Sequence, residues 1–249
     1  MRTLTLVVLG VVAYAAFLVA TVPARFVAAQ VQAHAGDRIR VHEAHGTAWH
    51  GAARADVAIP GGWLPLDNLA WRLLPSELAR GRIAVALDAQ AADLAAQATV
   101  ARSASSWHLT GEANGNASFV STIAPLLATW RPEGRIALRT QGFDWNDREA
   151  RGDVQADWSD AALALSQLRP LGAYRATLHA EGPSGKLAVT TLDGPLRLTG
   201  QGDIVFPASI TFNGEARAQG PAAASLDPLL DLLGPRRPDG ARTLAWRSR

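Results

Sequence analysis

The sequence predicts a mainly β protein. An N-terminal transmembrane helix is followed by a curved antiparallel sheet, a trough or partly closed barrel, with a few short helices and an internal duplication. Three observations carry this expectation. Residues 3–24 hold no charged side chain. Beyond them, large apolar residues recur at spacing two. Segments 109–134 and 212–240 match each other in register.

The charge-free stretch comes first. Leu4 to Val22 is almost wholly apolar, and about 20 such residues at 1.5 Å each span a bilayer core. Leu4, Val7, Leu9, Val12, Phe17 and Val19 are its expected lipid-facing side chains. Val22-Pro23-Ala24 offers small residues where a signal peptidase cuts. Secretory apolar cores, however, run about 7–15 residues, and this one is longer, so an uncleaved anchor is the better reading. The domain plan is an anchor over 1–24, a juxtamembrane segment over 25–36 and a β-rich domain over 37–249. Arginines stand on both sides of the span (Arg2; Arg25, Arg38, Arg40) and do not fix its orientation.

The sheet follows. Ile83, Val85 and Leu87 form one alternating set, Ile136 and Leu138 another, then Tyr174, Ala176 and Leu178. Leu187-Val189-Thr191, Leu196-Leu198, Ile204-Phe206 and Ile210-Phe212 continue the pattern. Period two gives each strand one apolar face. Punctuation such as Gly61-Gly62, Asn114-Gly115, Gly182-Pro183 and Gly194-Pro195 predicts a meander of short antiparallel strands. Little is recognisable from Gln90 to Ser106.

Short helices are expected over Ser121–Trp130, Asp160–Leu168 and Ser225–Leu233, from capping residues and helix formers. The first and last belong to the matched segments. Both carry Gly-Glu-Ala and, fourteen positions on from that glycine, a Pro-Leu-Leu; Gly111 matches Gly214 and Pro125 matches Pro228. A duplicated strand–helix–strand unit accounts for the match. A sheet with one apolar face must cover it with helices or curl on itself. Three short helices cover only part, which leaves two alternatives: a trough whose inner surface could take an acyl chain or a partner's strand, or a filled core with no cavity.

Composition excludes several classes. With 24 basic and 22 acidic residues the chain lacks the basic stripe of a nucleic-acid binder. No cysteine is present, which removes thiol catalysis, disulfides and cysteine-ligated metals. No G-x-S-x-G elbow occurs. Gly182-Pro183-Ser184-Gly185-Lys186 lacks the spacing of a phosphate loop and places Leu187 where Ser or Thr would hold magnesium; it reads as a hairpin turn. Asp144, Asp147, Glu149 and Asp153 lie among Arg148 and Arg151 without calcium-loop spacing, as a solvated turn does.

Val41–Ala53, VHEAHGTAWHGAA, packs three histidines around a tryptophan. As one extended strand it puts His42 and His45 on opposite faces and His42 and His50 about 26 Å apart. Too few ligands converge for a zinc site. The expectation is a strand in which Trp49 is buried and the histidines stay apart.

The order of landmarks then carries a family resemblance. An N-terminal apolar span leads into Gly46-Thr47-Ala48-Trp49-His50-Gly51. Trp71, Leu73, Pro75, Leu78 and Gly81 follow at Trp-x-Leu-x-Pro-x-x-Leu-x-x-Gly spacing. Gly152-Asp153-Val154 with Trp158, Leu171-Gly172-x-Tyr174 and Phe212-x-Gly214 come next. Over nearly its whole length the chain resembles the type II secretion system protein N family, and it is distantly similar to AsmA-like proteins. The resemblance implies a single-pass protein of the Gram-negative inner membrane with a periplasmic β domain. Its role would be as an accessory of the machinery that exports folded proteins across the outer membrane, with the other secretion components as partners. It brings no catalytic residue, metal or cofactor, and an enzyme is not expected. Gly46, Thr47, Trp49, Gly51, Trp71, Pro75, Gly81 and Gly214 are the candidate structural landmarks. The alternative is an AsmA-like lipid-handling or lipid-transfer module with lipid in the apolar groove.

Overall fold

The computed structural model describes residues 2–60, 62–123, 125–206, 209–221 and 223–248. Two helices open the chain, α1 (Arg2–Ala20) and α2 (Ala24–Ala35), and a 3-10 turn at Gly36–Arg38 leads into the sheet. The strands are β1 (Ile39–Gly46), β2 (His50–Ile59), β3 (Gly62–Leu73), β4 (Ile83–Ala91), β5 (Leu94–Arg102) and β6 (Trp107–Asn116). They continue as β7 (Pro132–Trp145), β8 (Ala150–Leu163), β9 (Gly172–Gly182), β10 (Ser184–Asp193), β11 (Leu196–Val205), β12 (Ser209–Ala218) and β13 (Arg242–Ser248). Three helices lie in connections: α3 (Pro75–Leu78), α4 (Ser118–Ile123) and α5 (Ala223–Leu233).

All thirteen strands form one antiparallel sheet in chain order, each paired with its neighbour in sequence. At about 4.8 Å between strands the sheet is roughly 55–60 Å wide. β1 and β13 are its two edges and do not pair, so the sheet is open rather than a closed barrel. Among the described residues no helix is long and apolar enough to cross a membrane. The side chains of Leu4 and Val12 lie outside the described residues; Val7, Leu9, Phe17 and Val19 are exposed on α1.

Strand direction sorts the connections onto two ends of the sheet. The turns after β1, β3, β5, β7, β9 and β11 lie at one end, and α1 meets α2 there, because Pro23 bridges to Thr47 in the turn after β1. This is the hinge end. The connections after β6 and β12 carry α4, α5 and a 3-10 segment, Pro125–Trp130, at the opposite, helix-capped end.

The best-packed part of the molecule is at the helix-capped end. Leu226, Leu229 and Leu230, one stripe of α5, are buried against Leu171, Leu196 and Ala216, with Trp130, Leu163, Leu168 and Leu244 around them. Spacing of three and four puts those leucines on one helix face, and burying each contributes about 2 kcal/mol. Tyr174 is buried beside them; its hydroxyl donates to the Leu196 carbonyl at 2.9 Å, with the Leu171 carbonyl at 3.2 Å.

The two matched segments have the same element order: β6, α4 with its 3-10 segment, β7; and β12, α5, β13. Gly111 and Gly214 occupy equivalent places. A Cβ at either would approach a neighbouring strand's carbonyl, Gln97 at 2.5 Å or Thr199 at 2.6 Å.

Several expectations are corrected. Asp160–Leu168 is not a helix. β8 runs on to Leu163 through a bulge at Asp160, whose φ is 51°. The bulge turns Ala161 and Ala162 inward, where both are buried, and pairs Ala161 with Gly172 and Ala162 with Glu133. Packing here overrides the helix propensity of alanine and leucine. The helix expected over Ser121–Trp130 is split into α4, which starts at Ser118, and the 3-10 segment; Ala124 lies outside the described residues. Residues 90–106 contain β5, and the segment 25–36 is mostly α2. Val41–Ala53 is a hairpin, not one strand: β1 ends at Gly46 and β2 begins at His50.

Leu226→Ala should cost about 2–5 kcal/mol through the cavity it leaves. Leu232→Ala, on the exposed side of α5, should stay within about 0.5 kcal/mol of the parent. Urea unfolding of the two variants checks the difference, and equal losses would place the core elsewhere.

Candidate functional site

Pairing register defines the two faces of the sheet, since directly opposed residues point the same way. One row runs Ala53, Leu69, Ala89, Ala96, Ala113 and Leu138. It continues through Ala156, Ala176, Val189, Gly200, Gly214 and Leu244. Twelve strands contribute and none adds a charge. The next row, one residue along, reads Asp88, Gln97, Glu112, Arg139, Gln155 and Thr177. One face is therefore apolar across the molecule and the other polar.

Among the described residues little covers the apolar face. α5 packs only on its helix-capped corner, while mid-sheet Leu138 remains 43 % exposed. The face carries aromatic pairs, Trp107 with Trp145 (centroids 6.2 Å apart) and Trp158 with Tyr174 (5.7 Å). An uncovered apolar surface of this continuity is the mark of an interaction site.

The polar face is tied together by ion pairs across strands. Arg175 grips Asp157 through two hydrogen bonds of 2.6 and 2.9 Å, and that guanidinium holds the carboxyl below its ordinary range. His179 sits 2.8 Å from Asp153; this hydrogen bond and the carboxylate charge raise the imidazole above its usual value. A cleft of about 660 Å³ on this face is lined by Arg72, Asp88, Gln97, Glu112 and Arg139 among others. Its charges are balanced, the carboxylates of Asp88 and Glu112 lying between Arg72 and Arg139. Among the described residues no three histidine or carboxylate groups come together to hold a metal.

The hinge is the second feature, and the sequence landmarks converge on it. In the turn after β1, the Trp49 indole N–H donates to the Val19 carbonyl at 2.8 Å. The Ala48 amide donates to the Val22 carbonyl at 2.8 Å. From β3, the Trp71 indole N–H donates to the Ala48 carbonyl at 3.3 Å. The last turn of α1 has carbonyls without intrahelical partners, and this turn supplies two donors close to them. Ala24, the first residue of α2, is buried at the junction. Two tryptophans and a three-residue turn thus fasten the α1–α2 break to the sheet.

Glycine makes the clamp possible at two places. Gly46 has φ of 89°, and a Cβ there would sit 2.7 Å from the His50 carbonyl. A Cβ on Gly51, opposite Trp71 in register, would meet the Trp71 ring at 2.5 Å and the His45 carbonyl at 2.7 Å. Thr47 lies between them, its hydroxyl 3.2 Å from the His50 carbonyl. Trp49 is half-buried, not buried as expected, because it lies over the hinge at the rim of the sheet. Each histidine has its own partner: His42 the Asp56 carboxylate, His45 the Glu43 carbonyl, His50 the Thr47 hydroxyl. Pro75 opens α3 and Gly81, with φ of 71°, turns the chain into β4. Gly214 is far away in β12. Sequence reasoning found the landmarks but not the contact between Trp49 and α1. A tryptophan thirty residues beyond Val19 carries no local sign of its acceptor.

The family model for the type II secretion system (T2SS), protein N, matches residues 37–245. The chain belongs to the type II secretion system protein N family. That family match covers the whole sheet but for the last residues of β13, and all eight landmark residues; α1 and α2 precede it. No curated protein and no solved structure matches the chain. The two faces and the hinge are the features of the described residues that stand out as surfaces for interaction.

Two outcomes are expected. Gly51→Val should destabilise the protein by about 1–3 kcal/mol, and Trp49→Phe, which keeps an aromatic ring but removes the N–H with part of the indole, by at least about 0.5–1.5 kcal/mol. Hydrogen exchange should show the Trp49→Phe loss as faster exchange at Ala48, with β10 and β11 unchanged. For His179 the sign follows from its raised pKa. The stabilisation is complete below 6.5, the imidazole's value without its partner, and is lost as pH rises through the native value. An NMR titration of His179 should have its midpoint above 6.5 and return toward that value in Asp153→Asn.

Proposed function

We propose that the protein is an inner-membrane-anchored accessory of the type II secretion pathway, with its sheet in the periplasm and other secretion components as partners. The family match over residues 37–245 carries this reading. Type II secretion exports folded proteins, and an accessory to it needs surfaces rather than a reaction centre. The open sheet edges β1 and β13 and the uncovered apolar face are such surfaces. Some charges of the polar face pair with one another, as Arg175 does with Asp157, and the reading is non-enzymatic.

The anchor reading rests on the sequence. Leu4 to Ala20 contains no charged residue, and the 19 residues of α1 extend about 28 Å, close to the roughly 30 Å of a bilayer core. Tyr14, Phe17, Leu18 and Val19 project from α1 exposed, in need of an apolar surrounding.

A second reading, lipid handling, is favoured by one observation: the apolar face runs unbroken across twelve strands and is left uncovered. An acyl chain lying along it would bury surface that water now touches. The two roles are compatible.

Removing the gene from a strain that depends on type II secretion, with all other components intact, should retain exoproteins in the periplasm. Undiminished exoprotein in the medium overturns the accessory role. N-terminal sequencing of the mature protein should start at or near Met1; a chain starting at Arg25 removes the anchor. Native mass spectrometry of the purified protein should show retained phospholipid, reduced in Leu138→Glu, which places a charge mid-face.

A further inference from the structure

The hinge end of the sheet carries a rim of exposed side chains that neither the core nor the hinge uses. One cross-strand row there reads Ile83, Arg102, Trp107 and Trp145. Ile83 is 56 % exposed although it starts β4 on the apolar face. The Arg102 guanidinium lies 4.8 Å over the Trp107 ring, and that ring stacks on Trp145. Leu78 of α3, Val205 at the end of β11 and Trp246 near the end of β13 are exposed at the same end.

Tryptophan with arginine beside aliphatic side chains is the composition of a membrane–water interface, where the ring sits at headgroup level and the guanidinium reaches out of the apolar layer. Position supports the chemistry. The same end receives α1, and the Trp49–Val19 and Ala48–Val22 hydrogen bonds fix the last turn of that helix to the turn after β1. A helix that leaves the bilayer at Ala20 therefore sets this end of the sheet, and not the helix-capped end, against the surface.

We infer that the hinge end is a bilayer-docking rim, so that the apolar face opens onto the lipid surface at one end while α5 and its neighbours close the other. This rests on the reading of α1 as a membrane anchor. Charge does not drive the contact. Near the rim Arg102, Arg148 and Arg151 stand against Asp144, Asp147 and Glu149, and Arg80 and Arg82 both pair with Glu77. Docking is by partition of apolar and aromatic side chains, and neutral lipid suffices.

The chain has no cysteine, so a single introduced thiol gives a unique spin label. Full-length Leu78→Cys, Ile83→Cys and Val205→Cys report the rim. Leu165→Cys and Leu192→Cys report the helix-capped end, where both leucines are exposed. Phe17→Cys reports the anchor. All are labelled and reconstituted in phosphatidylcholine vesicles, with circular dichroism confirming the sheet. Rim labels are expected to be relaxed more by oxygen than by a water-soluble nickel chelate, at shallower depth than Phe17→Cys, with the ratio reversed at Leu165 and Leu192. Rim labels that behave like Leu192 while Phe17→Cys reads lipid overturn the rim and leave the anchor standing. Phe17→Cys reading water removes both. Rim labels shielded from both reagents mean a protein covers the rim, and the inference fails.

Discussion

A single sheet can bury one face only if something lies on it, and this protein has too little to lay. Twelve of the thirteen strands, β2 to β13, present apolar residues on one side. Beyond α1 and α2, which precede the sheet, the described helices come to one longer piece, α5, with short turns around it. They close a corner. Everything else about the molecule follows from that shortfall: a tight core at one end, a half-buried apolar expanse in the middle, and a polar face whose side chains have only water and each other as partners. For an isolated soluble domain such a layout is poor, because burial is the main favourable term in folding. For a member of the type II secretion system protein N family, the uncovered surface is what it has to offer.

The hinge shows how the same sequence handles a place where covering is not an option. The chain passes from α1 to α2 in three residues, Thr21–Pro23, and a helix end there leaves carbonyls unmatched. Backbone and indole N–H groups from the turn after β1 come to Val19 and Val22, and Trp71 steadies that turn from the next strand. Gly51 is small because the Trp71 ring lies against it, and Gly46 because the His50 backbone does. The landmarks that recur along the sequence as Gly-Thr-x-Trp-x-Gly and a later tryptophan are thus parts of one joint.

Much of this was legible in the sequence. Period-two alternation located most strands, and α5 announced itself through Ser225, its leucines and Gly234. The misses have physical causes. β5 is built from alanine, glutamine and threonine, which alternate in polarity too weakly to stand out, yet its neighbours on both sides hold it in register. β8 hides a bulge at Asp160, and a residue with positive φ beside alanines reads locally as a helix cap. Val41–Ala53 was legible as strand but not as hairpin, because Thr47-Ala48-Trp49 contains none of the residues that mark a tight turn and is held instead by α1. The histidines, the most conspicuous residues of that stretch, have three unrelated partners. Contacts between distant segments leave no local trace, and the site is made of them.

The strand order has a kinetic consequence. No strand pairs with any but its neighbours along the chain, so almost every ladder closes a short loop. Contact order is low for an all-β protein, and low contact order means fast folding. In such an array a nucleus can form anywhere and zip outward, and an amino-terminal hairpin is complete before the last strands are available. The hinge ties α1 to the turn after β1, and α5, which packs back on Leu171 and Leu196, ties more distant stretches together and completes the structure late. A chain that emerges from its amino terminus can then assemble in the order in which it emerges.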